Sequence, residues 1–530
     1  MDHCKGRLGK FRREEDGSLL IFGLFCLVMM MFLAGAALDL MRYEERRTTL
    51  QNTVDRAVLA AADLRQTLPP KEVVKDYFRK AGLKPPSDSD IVVNQGTFNE
   101  WRTVQANVSE VMPTWFMRMV DIQTMTPIGS GTAEERVGQV EISLVLDVSG
   151  SMNSNNRLTN LKPAARAFID QMFDTVEPGK LSISLITYST QVSAGPELLQ
   201  YFDVTNEHND SSCLEFNSGD FNTTTMSPSG SGRTYKRNGH FDPFYRTSNI
   251  DSSGLWNCPK DANEAYRHIL AYSGSRTALK NAINALQAEG NTSIDLGVKW
   301  GAGLLDPSMA PVVQAMIASG DAPAAFSDRP YAYNDNEALK VIVVMTDGVN
   351  TTEYKLDSDY DHGDSQIWKT SSYSGLDQYS FYDPNRTSSS KYYSMRTDSW
   401  RTAPYGSNPQ RMTWPEVWEA MSLRYVADYI IYPIYGSTER NRWRAGYSSS
   451  KTSSYVSSQK NSQTLAACSA AKAHKNVKIF TIGFEAPSAA RTLLKSCASS
   501  QAHYYDAAGV DITTAFSSIA SSINKLRLTH

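Results

Sequence analysis

Near its N-terminus the chain carries an apolar stretch long enough to cross a membrane. Residues 18–40 read SLLIFGLFCLVMMMFLAGAALDL and contain no charge before Asp39. A helix of about twenty apolar residues, rising 1.5 Å per residue, spans the ~30 Å hydrocarbon core of a bilayer. Five basic side chains precede the stretch, whereas the basic side chains that follow it alternate with glutamates. This asymmetry predicts a single-pass anchor with residues 1–17 in the cytoplasm and the rest exported.

Two other interpretations of this stretch are a buried core helix and a cleaved signal peptide. A core helix rarely stays apolar over such a length. A signal peptide has a shorter apolar region, and here a helical pattern continues beyond the stretch. The apolar residues that continue it, at three- and four-residue steps, are Leu50, Val54, Ala57, Val58 and Ala61. We therefore expect residues 18–40 to remain as an uncleaved anchor.

Changes in sequence pattern divide the exported part into two units. Residues 41–137 combine a helical stalk with short alternating stretches, which predicts a small α+β unit. From residue 138 onwards, strand-like apolar runs alternate with amphipathic helices. This predicts an α/β fold, a doubly wound and mostly parallel sheet with helices on both faces. Two stretches, about 200–270 and 352–460, are too long for ordinary loops and are interpreted as insertions into this 138–530 domain.

The second insertion contains an aromatic pattern at helical spacing, between Thr413 and Pro433. Its stripe consists of Trp414, Trp418, Met421, Tyr425 and Tyr429. We interpret the stripe as a mini-core that packs the insertion onto the parent domain. An exposed aromatic surface for glycans or partner proteins is the alternative.

The positions of the cysteines fit an exported domain. Cys4 precedes the apolar stretch and Cys26 lies within it, and the four that follow it are Cys213, Cys258, Cys468 and Cys497. An even number in an oxidising compartment is compatible with two disulfides. Pairing neighbours in sequence (the first two and the last two) closes the shorter loops, although three connectivities exist. Four reduced, buried thiols are the alternative.

Oxygen-bearing side chains occur in three loops of the predicted sheet. Asp147, Ser149 and Ser151 form a D-x-S-x-S turn after the first strand, Thr292 precedes a helix, and Asp347 ends another buried strand. Ligands of open α/β sheets bind beyond the carboxyl ends of strands. Carboxylate and hydroxyl oxygens suit Mg²⁺, Ca²⁺ or Mn²⁺ rather than zinc. The turn alone is equally typical of a helix cap, but the three loops together predict a cation site.

The motif DVSGSM, the threonine of GNTS and the motif MTDG occur in this order. Together they resemble the metal-ion-dependent adhesion site of von Willebrand factor A domains, and the resemblance covers most of the domain apart from its insertions. It implies that Ser149, Ser151 and Thr292 are hydroxyl ligands and that Asp147 and Asp347 act directly or through water. The implied cation is Mg²⁺ in the first instance, with Mn²⁺ or Ca²⁺ as alternatives. One coordination position would stay open to an acidic side chain of a protein partner.

A second resemblance lies at the N-terminus. The residues that carry it are Gly17, Gly35, Asp39, Leu50, Gln51, Asp55 and the alanines at 60–62. They resemble the anchor of TadG-like proteins of the tight-adherence (Flp) pilus system. Processed pilin-like relatives carry a Glu five residues after the cleavage Gly, whereas this chain has Phe22, so we expect the anchor to stay. The resemblance implies a bacterial inner-membrane protein with a periplasmic bulk and pilus-assembly partners.

Composition and motifs argue against several other function classes. Lys and Arg number 53 against 56 Asp and Glu, and without a basic stripe nucleic-acid binding is not expected. The sequence has no GxGxxG, no P-loop and no recognisable nucleophile–base pair, so we do not expect an enzyme. The leading hypothesis is a cation-dependent binding module for pilus assembly or surface attachment. The alternatives are an accessory A-domain subunit of an ATPase, chaperone or enzyme complex, and a hydrolase whose site lies in the insertions.

Overall fold

The computed structural model describes residues 16–63, 66–95, 101–136, 138–246, 248, 255–335, 338–446 and 451–529. The chain divides into two compact units, Met1–Val137 and Gly138–His530. Each unit has its own hydrophobic core.

The first unit packs one long helix against a small sheet. It contains α1 (Asp16–Ala62), α2 (Pro70–Lys80), β1 (Ile91–Gln95), β2 (Trp101–Ser109) and β3 (Ile128–Arg136). The strands are antiparallel in the order β1-β2-β3. The five apolar residues that continue the helical pattern, from Leu50 to Ala61, are all buried against this sheet. Glycine makes the contact close, since a Cβ at Gly131 would lie only 2.8 Å from Cγ1 of Val54.

The N-terminal half of α1 is largely exposed and apolar. Among the described residues, α1 is the one helix long and apolar enough to cross a membrane. A hairpin between β2 and β3 returns along this helix. Its two short strands, Met112–Pro113 and Thr124–Met125, are paired, and a helical turn at Met117–Val120 lies between them.

The second unit is built around a six-stranded sheet. Its main elements are β4 (Gln139–Asp147), α3 (Arg157–Thr175), β5 (Leu181–Tyr188), β6 (Leu270–Ser273), α4 (Arg276–Ala285), α5 (Ile294–Gly303), α6 (Ala310–Ser319), β7 (Ala338–Thr346), β8 (Glu353–Leu356), β9 (Asp364–Lys369), β10 (Tyr379–Tyr382), β11 (Tyr392–Ser394), β12 (Ser399–Arg401), β13 (Gln410–Thr413), α7 (Trp414–Ala420), α8 (Tyr432–Trp443), β14 (Thr452–Tyr455), α9 (Ser457–Lys472), β15 (Val477–Phe484), α10 (Ser488–Cys497), β16 (Tyr504–Ala507) and α11 (Ile512–Thr529). The strand order is β6-β5-β4-β7-β15-β16. Only the edge strand β6 is antiparallel to its neighbour.

Alternate side chains of β4 enter two separate cores. Leu144 and Leu146 belong to the core formed with α3, α4 and α11, whereas Val145 belongs to the core formed with α5 and α9. Successive side chains of a strand point to opposite faces, so helices cover both faces of this sheet. The mixed α/β class with a mostly parallel sheet is thus as the sequence predicts.

Outside the insertions, two further elements of this unit are not anticipated from the sequence, β6 and α6. The edge strand β6 has only four residues, LAYS, which are too few to show a period. Helix α6 reads APVVQAMIAS and is apolar almost throughout, so that it lacks the polar face by which an amphipathic helix is recognised.

The second insertion has a regular fold of its own. It forms a five-stranded antiparallel sheet in the order β12-β11-β10-β9-β13. The first and last strands of the insertion, β8 and β14, form a separate antiparallel pair. Of the predicted aromatic stripe, Trp414, Trp418, Met421 and Tyr425 are buried and Tyr429 is half-buried.

The stripe therefore forms a mini-core rather than an exposed aromatic surface. This core contains Phe241 of the first insertion, so the two insertions pack on each other. A backbone hydrogen bond of 2.9 Å from Leu423 to Asp242 joins them. The helical pattern also breaks after α7 and resumes at Leu423.

Both disulfides join cysteines that are neighbours in sequence. Cys213 pairs with Cys258 in the first insertion, where the two Cα atoms are 6.0 Å apart. Cys468 of α9 pairs with Cys497 at the end of α10, with a Cα separation of 5.2 Å. The second bridge connects the two helices that flank β15 in sequence.

Candidate metal centre

The predicted metal ligands lie where two central strands end. β4 ends at Asp147 and β7 ends at Thr346, which Asp347 follows directly. The strands pair in parallel, with Leu146 beside Met345, so their last residues reach the same edge of the sheet. β4 has β5 on one side and β7 on the other. Such a change in the direction of winding creates the crevice where α/β sheets bind ligands.

The carboxylate of Asp147 is fully buried and is held by two donors. Its Oδ1 accepts a hydrogen bond of 2.8 Å from the backbone N–H of Ser149, and its Oδ2 accepts one of 2.6 Å from the hydroxyl of Thr346. Burial, together with the nearby charge of Asp347, raises the pKa of Asp147 to about 7. A cation beside this carboxylate would favour its charged form.

The serine hydroxyls of the turn connect Asp147 to the second carboxylate. The Oγ atoms of Ser149 and Ser151 are 3.1 Å apart, and Ser151 donates a hydrogen bond of 2.6 Å to Oδ1 of Asp347. The N–H of Gly150 donates to the carbonyl of Gly290 at 2.9 Å, which fixes the turn against the loop that precedes α5.

That loop brings in Thr292. Its backbone exchanges hydrogen bonds with Thr351, of 2.8 Å to the Thr351 hydroxyl and 3.0 Å from the Thr351 N–H. A Cβ placed on Gly348 would lie 3.7 Å from the hydroxyl oxygen of Thr292 and 3.6 Å from that of Ser151. The two hydroxyls therefore approach the same point. Thr292 is buried as a whole, and its hydroxyl makes no hydrogen bond to the described residues, so that its oxygen is available to a ligand.

A cationic side chain borders the site. The Nη1 atom of Arg157, the first residue of α3, donates a hydrogen bond of 2.8 Å to Oδ2 of Asp347, and its Nε donates one of 2.9 Å to Glu485. The guanidinium thus offsets part of the negative charge of Asp347 and also pairs with Glu485. A metal bound here would meet a protein environment of low net negative charge.

The donor set fits a hard cation. It consists of two carboxylates and three hydroxyls, and oxygen ligands of this kind suit Mg²⁺, Mn²⁺ or Ca²⁺. No group of three or more His, Cys, Asp or Glu side chains capable of holding a metal occurs in the described part of the chain. A cation at this edge of the sheet would therefore depend on the hydroxyl oxygens.

Sequence reasoning did not identify two residues of this site. Thr346 could have been found, because it is a polar residue at the end of a mostly apolar strand and directly precedes Asp347. Arg157 could not have been found, because 190 residues separate it from the carboxylate that it contacts.

Part of the chain matches a known family. Residues 17–64 match the model of a family described as putative Flp pilus-assembly TadE/G-like. The match covers α1 and agrees with the resemblance noted at the N-terminus. No curated protein sequence matches this chain.

Several solved pilus proteins are similar in structure at low sequence identity. The vWF domain of the type V pili tip protein Mfa5 from Porphyromonas gingivalis is 14% identical, with a TM-score of 0.32 and coverage of 74% of this chain and 97% of that one. The adhesive tip pilin GBS104 from Group B Streptococcus agalactiae is 14% identical, with a TM-score of 0.33 and coverage of 73% and 100%. The pilus adhesin RrgA from Streptococcus pneumoniae is 14% identical, with a TM-score of 0.32 and coverage of 82% and 48%.

Proposed function

We propose that this chain is a membrane-anchored, cation-dependent protein-binding module that serves pilus assembly or surface attachment. In this proposal residues 138–530 are a von Willebrand factor A-type domain, and their role is binding rather than catalysis. The observation that carries the proposal is the convergence of two carboxylates and three hydroxyls at the carboxyl ends of β4 and β7.

In the proposed complex, Ser149, Ser151 and Thr292 hold the cation, and Asp147 and Asp347 act directly or through water. The hydroxyl of Thr292 supports this assignment, since it makes no hydrogen bond to the described residues and its oxygen is therefore available to a cation. The cation would supply a Lewis-acidic position for an acidic side chain of a protein partner. Because Arg157 offsets part of the charge of Asp347, the site would keep an affinity for such a negative group.

The pilus part of the proposal rests on the N-terminal helix. The family match at residues 17–64 points to pilus-assembly components as partners. The exposed apolar half of α1 supports a single-pass anchor in the bacterial inner membrane, with the second unit in the periplasm.

Thr292→Val tests the metal site with little disturbance of the fold. Valine has nearly the same shape, and the hydroxyl that it removes has no partner among the described residues. We expect the stability of the metal-free 138–530 unit to change by less than about 0.5 kcal/mol. Binding of Mg²⁺ should weaken by about tenfold or more, which corresponds to ~1.4 kcal/mol. Titration of Mg²⁺ followed by calorimetry measures both quantities.

Thr175→Val is the matched control for this substitution. Thr175 is the last residue of α3, and at 1.5 Å per residue this helix carries it about 27 Å from Arg157 at the site. The control variant should bind Mg²⁺ as the wild type does. Unchanged Mg²⁺ affinity in Thr292→Val would remove this hydroxyl from the proposed ligand set.

The proposed topology predicts where the C-terminus lies. Basic residues precede the apolar stretch, so the positive-inside rule places the N-terminus in the cytoplasm. Alkaline phosphatase fused after His530 should be active, whereas a fluorescent protein that folds only in the cytoplasm should stay dark there. The opposite pair of results would contradict the proposed orientation.

A further inference from the structure

The hairpin between β2 and β3 presents apolar side chains to solvent at its tip. We define the hairpin tip as residues 114–123. Its exposed apolar residues are Trp115, Met119, Val120 and Ile122, and Met119 is 73% exposed. A cluster of this kind on a small unit marks an interaction surface rather than a folding core.

The hairpin tip is fixed to α1 through Asp39. This carboxylate is fully buried, and it accepts backbone hydrogen bonds from Trp115, Phe116 and Met117 at 2.7 to 2.9 Å. Arg42 also contacts Asp39 and lies 3.7 Å above the ring of Trp115. Three amide donors and a guanidinium together satisfy a carboxylate that would otherwise be costly at the edge of an apolar region.

Two further contacts set the direction in which the hairpin runs. At its base, Glu110 forms a two-pronged ion pair of 2.8 Å with Arg46. At its tip, the ring of Phe116 packs so closely on Gly35 that any side chain at this glycine would overlap it. The hairpin therefore follows one face of α1 from Arg46 back to Gly35, toward the apolar stretch.

These contacts place the hairpin tip beside residues that the proposed anchor puts at the membrane boundary. The charge-free run from Ser18 to Leu38 is about 31 Å long as a helix, which matches the hydrocarbon core. Gly35 lies three residues inside the end of that run, about 4 to 5 Å deep. Phe116, which packs on Gly35, reaches the same depth.

We propose that the hairpin tip inserts into the outer, periplasm-facing leaflet of the bilayer that α1 crosses and forms a second, interfacial contact with lipid. The proposal rests on the anchor of the proposed function. The composition of the hairpin tip fits this role, because Trp and other apolar side chains favour the boundary between headgroups and acyl chains. Arg118 and Arg42 can contact lipid phosphates. Lipid is favoured over a protein partner because the tip is held at the depth of the apolar helix whatever else binds.

Spin labels on the full chain test this inference. A nitroxide is attached at Met119→Cys, with Cys4→Ser and Cys26→Ser to remove the two cysteines outside the disulfides. The labelled protein is placed in vesicles of phosphatidylcholine and phosphatidylglycerol. Two matched positions on α1 frame the result: Leu24 within the apolar run, 57% exposed, and Leu59 about 30 Å beyond its end, 67% exposed. Collision with oxygen reports lipid, and collision with a water-soluble nickel complex reports water.

The expected result is a Met119 label that collides with oxygen and is shielded from nickel about fivefold or more relative to Leu59. A Met119 label as open to nickel as Leu59, with Leu24 in lipid, would overturn the interfacial contact and leave the anchor standing. Shielding of Met119 from both reagents would mean that protein, not lipid, covers the tip. A water-exposed label at Leu24 would overturn the anchor, and with it this inference.

A pair of glycine substitutions tests whether the contact between Phe116 and Gly35 holds the hairpin tip against α1. Gly35→Leu should drive Phe116 off α1 and raise the nickel accessibility of the Met119 label toward that of Leu59. Gly23→Leu places the same side chain in open space on the same helix, so it should leave the Met119 label unchanged. If the nickel accessibility of the Met119 label stays the same in Gly35→Leu, the contact with Gly35 does not hold the tip in place.

Discussion

Asp147→Asn is expected to abolish the stabilisation of the 138–530 unit by Mg²⁺ and to raise its stability when no metal is present. Asparagine keeps the size of the side chain and an acceptor for the N–H of Ser149, and its amide can still pair with the Thr346 hydroxyl. At neutral pH the charged form of a buried acid with a raised pKa destabilises the folded state. Removing the charge should therefore stabilise the metal-free unit by roughly 1 to 3 kcal/mol.

With metal the order of stability should reverse. A ligand that binds only the native state, at a thousand times its Kd, stabilises it by about 4.1 kcal/mol, which exceeds the gain expected from removing the charge. The wild type should show this stabilisation by metal and Asp147→Asn should not. Urea unfolding at pH 7.5 in EDTA and in saturating Mg²⁺ measures all four free energies.

Asp306→Asn is the matched control. Asp306 is also buried and accepts a hydroxyl hydrogen bond, from Thr224 at 2.5 Å, but it follows Leu305, whose carbonyl contacts Lys340 near the opposite end of β7. This variant should keep the full response to Mg²⁺. If Asp147→Asn responds to Mg²⁺ as strongly as the wild type, the turn is a helix cap, and the cation-dependent part of the proposed function is contradicted.

The double variant Cys468→Ala/Cys497→Ala is expected to lose about 3 to 4 kcal/mol of stability. The bridge closes a loop with a sequence separation of 29 residues, and in the chain-entropy model a loop of this length restricts the unfolded chain by that amount. The bonded side chains are buried between α9 and α10. Alanine replaces them with a smaller side chain and introduces no polar group. Urea unfolding of oxidised protein measures the difference.

Two comparisons control for the loss of side-chain volume. In the Cys213→Ala/Cys258→Ala background, which keeps the Cys468–Cys497 bridge, adding a reductant should remove about 3 to 4 kcal/mol without changing a side chain. The pair Cys213→Ala/Cys258→Ala, with a separation of 45 residues, should lose about 4 kcal/mol by the same model. Free thiols at Cys468 and Cys497 in protein from an oxidising compartment, detected by mass spectrometry, would contradict the prediction.

The sequence predicted most of what lies in the central sheet. β4 and β7 are mostly apolar runs of strand-forming residues that end in polar loops, so both the strands and the residues at their ends could be recognised locally. The buried face of α1 followed from its three- and four-residue spacing. These signals suffice because each depends on residues that are close together in the chain.

What could not be predicted depends on contacts between distant segments. The strands of the second insertion have three to six residues and are largely polar, so only their pairing with one another defines them. Phe241 joins the aromatic core of the other insertion although more than a hundred residues separate it from Trp414. The contact between Asp39 and Trp115 of the hairpin tip joins residues 76 positions apart, and no motif at either end indicates it.

The alignment of β3 with α1 determines how the first unit would respond to a pulling force. Gly129 lies beside Leu50 and Gly131 beside Val54, so the strand runs along the helix and away from its apolar end. A force applied between the apolar end of α1 and Arg136 would therefore act along the length of this strand. The hydrogen bonds to β2 are perpendicular to the strand, and all nine residue pairs, from Ile128 to Arg136, would be sheared together instead of unzipped singly. In a chain proposed to serve an adhesive pilus, tension would thus load all the hydrogen bonds between β2 and β3 at once.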